Sequence, residues 1–428
     1  MGIDTARERV NQKLDTMQDE LVRLMEGVIN TPSPPGYEKA VCEFLAGWMN
    51  ERGIAAHVQD IEPTRGNVVG RLTGTGGGKS VTFNAHMDTT FVGTEVDDLP
   101  IVGKVENIAR PEARLENGLI YGLGAFNDKG PFACACIAAL AIEQSGITLR
   151  GDVVLAGVGG EIGRGQIGHL DGPGTRGKGI GTYYLLHFGE WTDYAIVCEG
   201  SNWSVSWALP GAAYFRITTR GEATYAPFNE HGAGPPGEDP NAIVRSAHLI
   251  LALEEWARDY ERRSELDTPC GRMTPKVTIG AVDGGQPIKP NWRPALSHVY
   301  LDVRIPPNRT PLDVKREVTE VVRATGLSDE IEMFLARRGF IAEGAEPIAD
   351  AVRAAHHDVF GTAPPPPHWN DLSQWNDLNI FAEHGIPVVK YGPAWPEGPF
   401  FPERMAIKDL LNAARVYAGV ALRLCGVE

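Results

Sequence analysis

Basic charge is scarce in this 428-residue chain: 40 Lys and Arg stand against 55 Asp and Glu, a formal net charge of −15. Proteins that grip a phosphate backbone draw their affinity from clustered cations that displace counterions, so nucleic acid is excluded as a partner. Long apolar runs are missing too. Nothing approaches the ~20 consecutive apolar residues that span a bilayer, and no membrane partner is expected. The opening MGIDTARERVNQKLDTMQDELVRLMEGVIN carries charges and helical apolar spacing, not the basic start and continuous apolar core of a signal peptide. The expectation is a cytoplasmic protein. Cysteine is sparse, with six residues at 42, 134, 136, 198, 270 and 425. Their spacing and the chain length exclude a disulfide framework. Cys134 and Cys136, two apart in PFACACIAALAI, cannot put both thiols on one helix face and read as small core residues. Internal repeats and low-complexity tails are absent.

What is present is ordinary globular composition, 43% hydrophobic and 22% charged, in a chain longer than one core usually supports, so two domains are expected. Strands alternate with helices in the first half. NVVGRLTG and KSVTFNAHMD flank TGGG, which reads as a hairpin turn; GPFACACIAALAIEQSG is helical, and DVVLAGVGG and DYAIVCEG are short apolar strands. Such alternation predicts an α/β sheet covered on both faces. Near residue 208 the pattern shifts to half-exposed strands (AAYFRITTRGEA, KVTIGAVDGG, SHVYLDVRIP) between two long helices, which predicts a smaller antiparallel α+β module. After EIEMFLARRG the first pattern returns, with GIPVVKYGP and a terminal helix IKDLLNAARVYAGVALRL. The module is therefore expected as an insertion, residues 208–338, in a catalytic domain made of 1–207 and 339–428.

Ligands in open α/β sheets collect beyond the carboxyl ends of strands. Four strand ends carry polar groups: His86 and Asp88, Asn127 and Asp128, Glu161, and Glu199. One imidazole, several carboxylates and an amide oxygen are hard-to-borderline ligands, which points to a metal. Singly, each has a plain alternative as a cap, a turn or a solvated acid. GLGAFNDKG lacks the third glycine of a dinucleotide fingerprint and is not a P-loop. Together, in one domain, they form a constellation.

With those residues in view, the chain resembles the aminoacylase and carboxypeptidase family of co-catalytic zinc exopeptidases, which includes acetylornithine deacetylase, desuccinylases and glutamate carboxypeptidases. The marks are AHMD, GLGAFNDKG against GRGxxDxKG, GEIG against EExG, CEGS, PNAI, LDVR and GIPVVKYGP. The resemblance implies a phosphorylase/hydrolase-like mixed sheet covered by helices, with the inserted module as lid and dimerisation domain. It implies His86 and Glu199 as ligands of one metal, with Asp88 orienting His86 and acting with Glu161 in catalysis. Glu161 matches the ligand of the other metal. Several parts depart from the pattern: Asn127 stands where the bridging Asp belongs, Gly160 where the base belongs, Pro399 in the slot of a C-terminal His, and Tyr225 where the lid carries a His.

With Asn127 neutral, Glu161 and Glu199 remain as the acidic groups, enough to balance one divalent ion. The expectation is one divalent transition metal per subunit, Mn²⁺ or Zn²⁺, held by His86, Glu199 and the Asn127 amide oxygen. Glu161 is then either a general base or still a ligand. The departures, with the aromatic-rich PPPPHWNDLSQWNDL and WPEGPFF, resemble the branch of the family that acts on nitroaromatic amines. That branch implies hydrolysis of 5-nitroanthranilate: hydroxide adds to the ring carbon bearing the amine, the nitro group takes up charge, and ammonia leaves 5-nitrosalicylate. Arg304, Asn291, Arg293 and Tyr225 are the substrate-binding candidates for a small aromatic acid, since Arg forks match carboxylates. Trp369 and Trp375 read as core or pocket wall. The alternatives are a metallopeptidase or N-acyl amino acid amidohydrolase, and a catalytically inactive acid-binding relative. A homodimer through the lid is expected, with higher homo-oligomers open.

Overall fold

The apolar segments of the first half become the strands of one mixed sheet. In the computed structural model, which describes residues 1–168, 172–327 and 330–428, the spatial order is Ala55–Glu62, Arg65–Leu72, Val153–Val158, Val81–His86, Tyr194–Val197 and Val388–Lys390. The last four strands run parallel to one another, while the first two form an antiparallel hairpin at one edge. Val81–His86 and Val153–Val158 are buried at every residue, as strands covered on both faces must be. The helix Lys129–Gln144 is buried from Lys129 to Ile142, which explains its apolar residues all round. It packs with Ile407–Cys425 over Val81–His86. Gly157 keeps this contact tight: a Cβ there would stand 3.1 Å from the Phe132 ring.

TGGG is not a hairpin turn. Arg65–Leu72 and Val81–His86 do not pair, because Val153–Val158 lies between them. The glycines serve a close backbone approach instead. Thr75 N donates to Leu149 O at 3.0 Å and Gly76 N to Arg150 O at 2.8 Å, and a Cβ on Gly74 or Gly78 would run into the 150–151 backbone.

The chain divides into two units: Met1–Trp207 with Ala342–His368 and Asn376–Glu428, and Ala208–Ile341 with Trp369–Trp375. The second holds a four-stranded antiparallel sheet ordered Val277–Gly284, Leu296–Ile305, Gly211–Arg220, Glu330–Arg337. The helices Ala242–Arg263 and Pro311–Ala324 close over it around Phe215, Ile217, Leu249, Val299, Leu301 and Val318. Pro311–Ala324 starts where TPLD predicts, because the side chains of Thr310 and Asp313 cap each other's backbone amides. Two pieces join this unit that the sequence pattern assigns to the catalytic domain. Phe340 and Ile341 pair with Leu209 and Ala208, and Ser373 Oγ donates to the Thr274 carbonyl, holding Trp369–Trp375. All six cysteines are free and buried. Among the described residues no helix is long and apolar enough to cross a membrane.

Candidate active site

The parallel strands of the first unit end side by side. His86 closes Val81–His86 opposite Val158, Glu161 stands three residues beyond Val158, and Glu199 two beyond Val197. His86 is 3% exposed. Its Nδ1 lies 2.7 Å from the Asp88 carbonyl, and a proton shared there leaves Nε2 as the free nitrogen in the neutral ring. Nε2 faces Asn127 Oδ1 at 3.1 Å, Asp128 Oδ2 at 3.4 Å and Glu161 Oε2 at 3.9 Å. Asn127 Nδ2 donates to Thr90 Oγ1 at 2.9 Å, which turns the amide oxygen toward the imidazole. Burial alone disfavours the imidazolium, yet the Asp128, Glu161, Asp88 and Glu199 carboxylates outweigh it and hold His86 well above the usual range.

Asp88 orients His86 by its backbone, not its carboxylate. Its Oδ1 is 3.6 Å from Nδ1, and the carboxylate instead accepts from the amides of Gly160, Glu161 and Ile162 at 3.0, 3.1 and 2.8 Å. Gly160 makes that turn: its φ is +78°, and a Cβ there would overlap Ile180 Cγ2 and come 3.2 Å from Arg65 Cζ. Arg65 and Glu38, both fully buried and 3.1 Å apart, fill the space behind it. Position 160 is therefore closed to a glutamate side chain. The loop carrying Asn127 and Asp128 is held from below. Glu403 accepts from the amides of Gly124, Phe126 and Asn127 at 2.8–2.9 Å. Buried Lys129 donates to the Val28 and Thr31 carbonyls at 2.8 and 2.9 Å, and burial pushes its ammonium down to about 7. The Asn127–Asp128 peptide is cis.

The expectation of only two acids in the pocket does not hold. Asp128 is 1% exposed, and neither of its carboxylate oxygens has a hydrogen-bond partner among the described residues. Asp377 is equally buried; Thr182 Oγ1 donates to its Oδ2 at 2.7 Å while Oδ1 has no hydrogen-bond partner among the described residues. Burial raises both carboxyls, Asp128 well above its usual range against the pull of His86, and Asp377 to about 7. Glu161, 6% exposed, is pushed up to about 8 by burial, with Lys178 and His86 opposing. Asn376 Nδ2 donates to Glu199 Oε2. Charge therefore does not limit the pocket to one ion. Sequence patterning places Asp128 among the strand-end polar groups but leaves it out of the charge count because Asn127 occupies the bridging register, and it misses Asn376 and Asp377 because WNDL reads as an aromatic stretch.

Unpartnered buried carboxylate oxygens are costly unless a cation or a proton satisfies them. The donor set of His86 Nε2, Asn127 Oδ1, Asp128, Glu161 and Glu199 suits a borderline divalent ion. Among the described residues no three His, Cys, Asp or Glu side chains converge as a preformed ligand group. Pro399 supplies no side-chain ligand, and its carbonyl accepts from Arg404 Nη1 at 2.7 Å. Beside the pocket an aromatic series runs from Phe126 to Trp395 (4.4 Å between centroids), Phe400 (4.5 Å, stacked) and Phe401 (4.9 Å). Phe126 lies over Gly200, where a Cβ would collide with its ring.

The sequence-predicted substrate residues lie in the second unit. Tyr225 is exposed and packs on Trp292 and Phe228. Asn291 is its neighbour, its carbonyl accepting from Ala226 N at 2.9 Å. Arg304 sits near the far end of the following strand, paired with Asp302 at 2.9 Å. Arg293 is engaged inside its own unit, donating to Glu222 O, Asn229 Oδ1 and Glu230 O at 2.8–3.0 Å.

The stretch that carries this site, residues 82–423, matches a family model, Peptidase family M20/M25/M40. The chain belongs to this family. It is 25% identical over 451 residues to N-formyl-4-amino-5-aminomethyl-2-methylpyrimidine deformylase of Bacillus subtilis (strain 168), covering 97% of both chains. It is 26% identical to succinyl-diaminopimelate desuccinylase of Alkalilimnicola ehrlichii over 73% of this chain and 77% of that one. The structure of human carnosine dipeptidase 1 shares the fold, with a TM-score of 0.73 at 16% identity and 98% coverage of each chain. The protein is thus a metal-dependent hydrolase of C–N bonds with a mixed α/β fold.

Proposed function

We propose that this M20-family protein hydrolyses the amide-type C–N bond of a small N-acyl amine carrying a planar ring, water and amide giving carboxylate and amine. The observation that carries the reading is the buried Asp128 carboxylate, without a hydrogen-bond partner and 3.4 Å from His86 Nε2. His86, Asn127, Asp128 and Glu199 would hold the divalent ion. When bound, such an ion would supply Lewis acidity toward the scissile carbonyl and an attacking water. Glu161 takes the proton of the attacking water, standing 3.9 Å from His86 Nε2 while position 160 is closed to a carboxylate. Its burial suits a base poised near neutral pH. The aromatic series at Phe126, Trp395 and Phe400 gives a ring something to stack on. The similarity to a deformylase of a pyrimidine amine across 97% of both chains supports the same class.

A second reading, removal of the ring amine of 5-nitroanthranilate with release of 5-nitrosalicylate and ammonia, is favoured by the same aromatic series and by the altered base position. The test supplies the Mn²⁺- or Zn²⁺-loaded protein with N-formyl and N-succinyl aromatic amines, dipeptides and 5-nitroanthranilate. Release of formate or succinate supports the first reading. Ammonia from the nitroaromatic with no acyl cleavage replaces it with the second.

A further inference from the structure

We propose a second metal site on the surface of the first unit, formed by His187 and His384, for a late first-row transition ion such as Zn²⁺, Cu²⁺ or Ni²⁺. His187 ends the helix Ile180–His187, and His384 follows the helix Leu378–Glu383. Their Nε2 atoms face each other at 2.9 Å. His384 Nδ1 lies 2.8 Å from the Ile380 carbonyl, and a proton donated there fixes the ring with the Nε2 lone pair aimed at His187. An imidazole oriented through its other nitrogen by a backbone carbonyl is the usual support of a metal-ligating histidine. Two nitrogens bound to one tetrahedral ion at about 2.0–2.1 Å stand roughly 3.3 Å apart. The separation of the two nitrogens therefore needs to grow by only a few tenths of an ångström, with the imidazoles turning so that both lone pairs converge on the ion, and both side chains meet at the surface, where they are free to turn. Tyr183 steadies the arrangement: its ring packs on both imidazoles, 5.8 and 5.6 Å between centroids, and its hydroxyl donates to Glu383.

The site is distinct from the catalytic cluster in its donors. Two imidazoles without carboxylates select Cu²⁺, Zn²⁺ and Ni²⁺ over Mg²⁺, Ca²⁺ and Mn²⁺. Among the described residues no group of three His, Cys, Asp or Glu forms here, so water completes the shell. The two helices that the ion would join also reach the pocket at their other ends. Gly179 N, at the start of the first helix, donates to Gly160 O at 3.0 Å, and Thr182 holds Asp377, the residue before the second. An ion at the surface would clip together the elements that carry the base loop and Asp377.

The test equilibrates the Mn²⁺-loaded enzyme with Zn²⁺ at low micromolar free concentration, desalts it and counts zinc per chain. Wild type should retain roughly one Zn²⁺ more than His187→Ala and His384→Ala, with hydrolytic rates unchanged in both variants. Bound Cu²⁺ should show nitrogen hyperfine splitting that both substitutions remove. Equal zinc counts in wild type and the two variants, or a copper signal that both variants keep, would overturn the proposal.

Discussion

Replacing Gly160 with glutamate supplies, on paper, the base that the family resemblance implies at this position, and the structure expects it to fail. Gly160 has φ +78°, a conformation that costs an L-residue about 1–2 kcal/mol. Its Cβ would overlap Ile180 Cγ2 and stand 3.2 Å from Arg65 Cζ, and overpacking of that kind costs about 1–3 kcal/mol. Together the strain is about 2–5 kcal/mol, which at a urea dependence of about 3 kcal/mol/M lowers the midpoint by about 0.7–1.7 M. The same turn aims three amides at Asp88, whose carbonyl holds His86 at 2.7 Å. A displacement near 1 Å there costs about 100-fold in rate. The assay compares urea midpoints and kcat of wild type, Gly160→Ala and Gly160→Glu. Alanine should already show most of the stability loss, because strain and not charge causes it. A Gly160→Glu protein with an unchanged midpoint and a raised kcat would refute the closed-pocket reasoning.

His86→Ala should abolish both metal retention and turnover, read by elemental analysis and by the acyl-release assay. Glu161→Gln should keep the bound metal and lower kcat by about 100-fold or more, as loss of a general base does; loss of the metal would make Glu161 a ligand instead. With chelator present, stability should fall as pH rises from about 4.5 to about 8. Burial raises Glu38 and Asp377 to about 7 and Glu161 to about 8, so these carboxyls bind more protons in the folded chain than in the unfolded one across that window, while Lys129, pushed down to about 7, opposes them only above that pH. Stability is then fully present below the unfolded values and lost through the folded ones. Urea midpoints at pH 6 and pH 8.5 check the sign, and a divalent ion should flatten the slope by taking the place of those protons.

Much of this molecule was legible in its residue pattern, for identifiable reasons. Apolar strands ending on His86, Glu161 and Glu199 declare a parallel sheet and its functional edge, because such strands are buried on both faces and polar groups at their carboxyl ends need a partner there. TGGG misleads, since glycine marks close backbone approach as readily as a turn. Asp88 is visible, but not that its carbonyl and its carboxylate serve different partners. Asp128 and Asp377 escape a charge count made along the sequence, because burial and lack of partners are properties of the folded chain. The closure of position 160 depends on Arg65 and Ile180, residues distant in sequence that no local motif connects to it.

The most direct measurement is the Mn²⁺ content of wild type beside Asp128→Asn after desalting, an ion that the surface histidine pair does not favour. A buried carboxylate without hydrogen-bond partners beside His86 predicts that the wild type retains the ion and the variant loses it while staying folded. Equal retention in the two proteins would mean that the cluster around His86 and Asp128 is not where the metal binds.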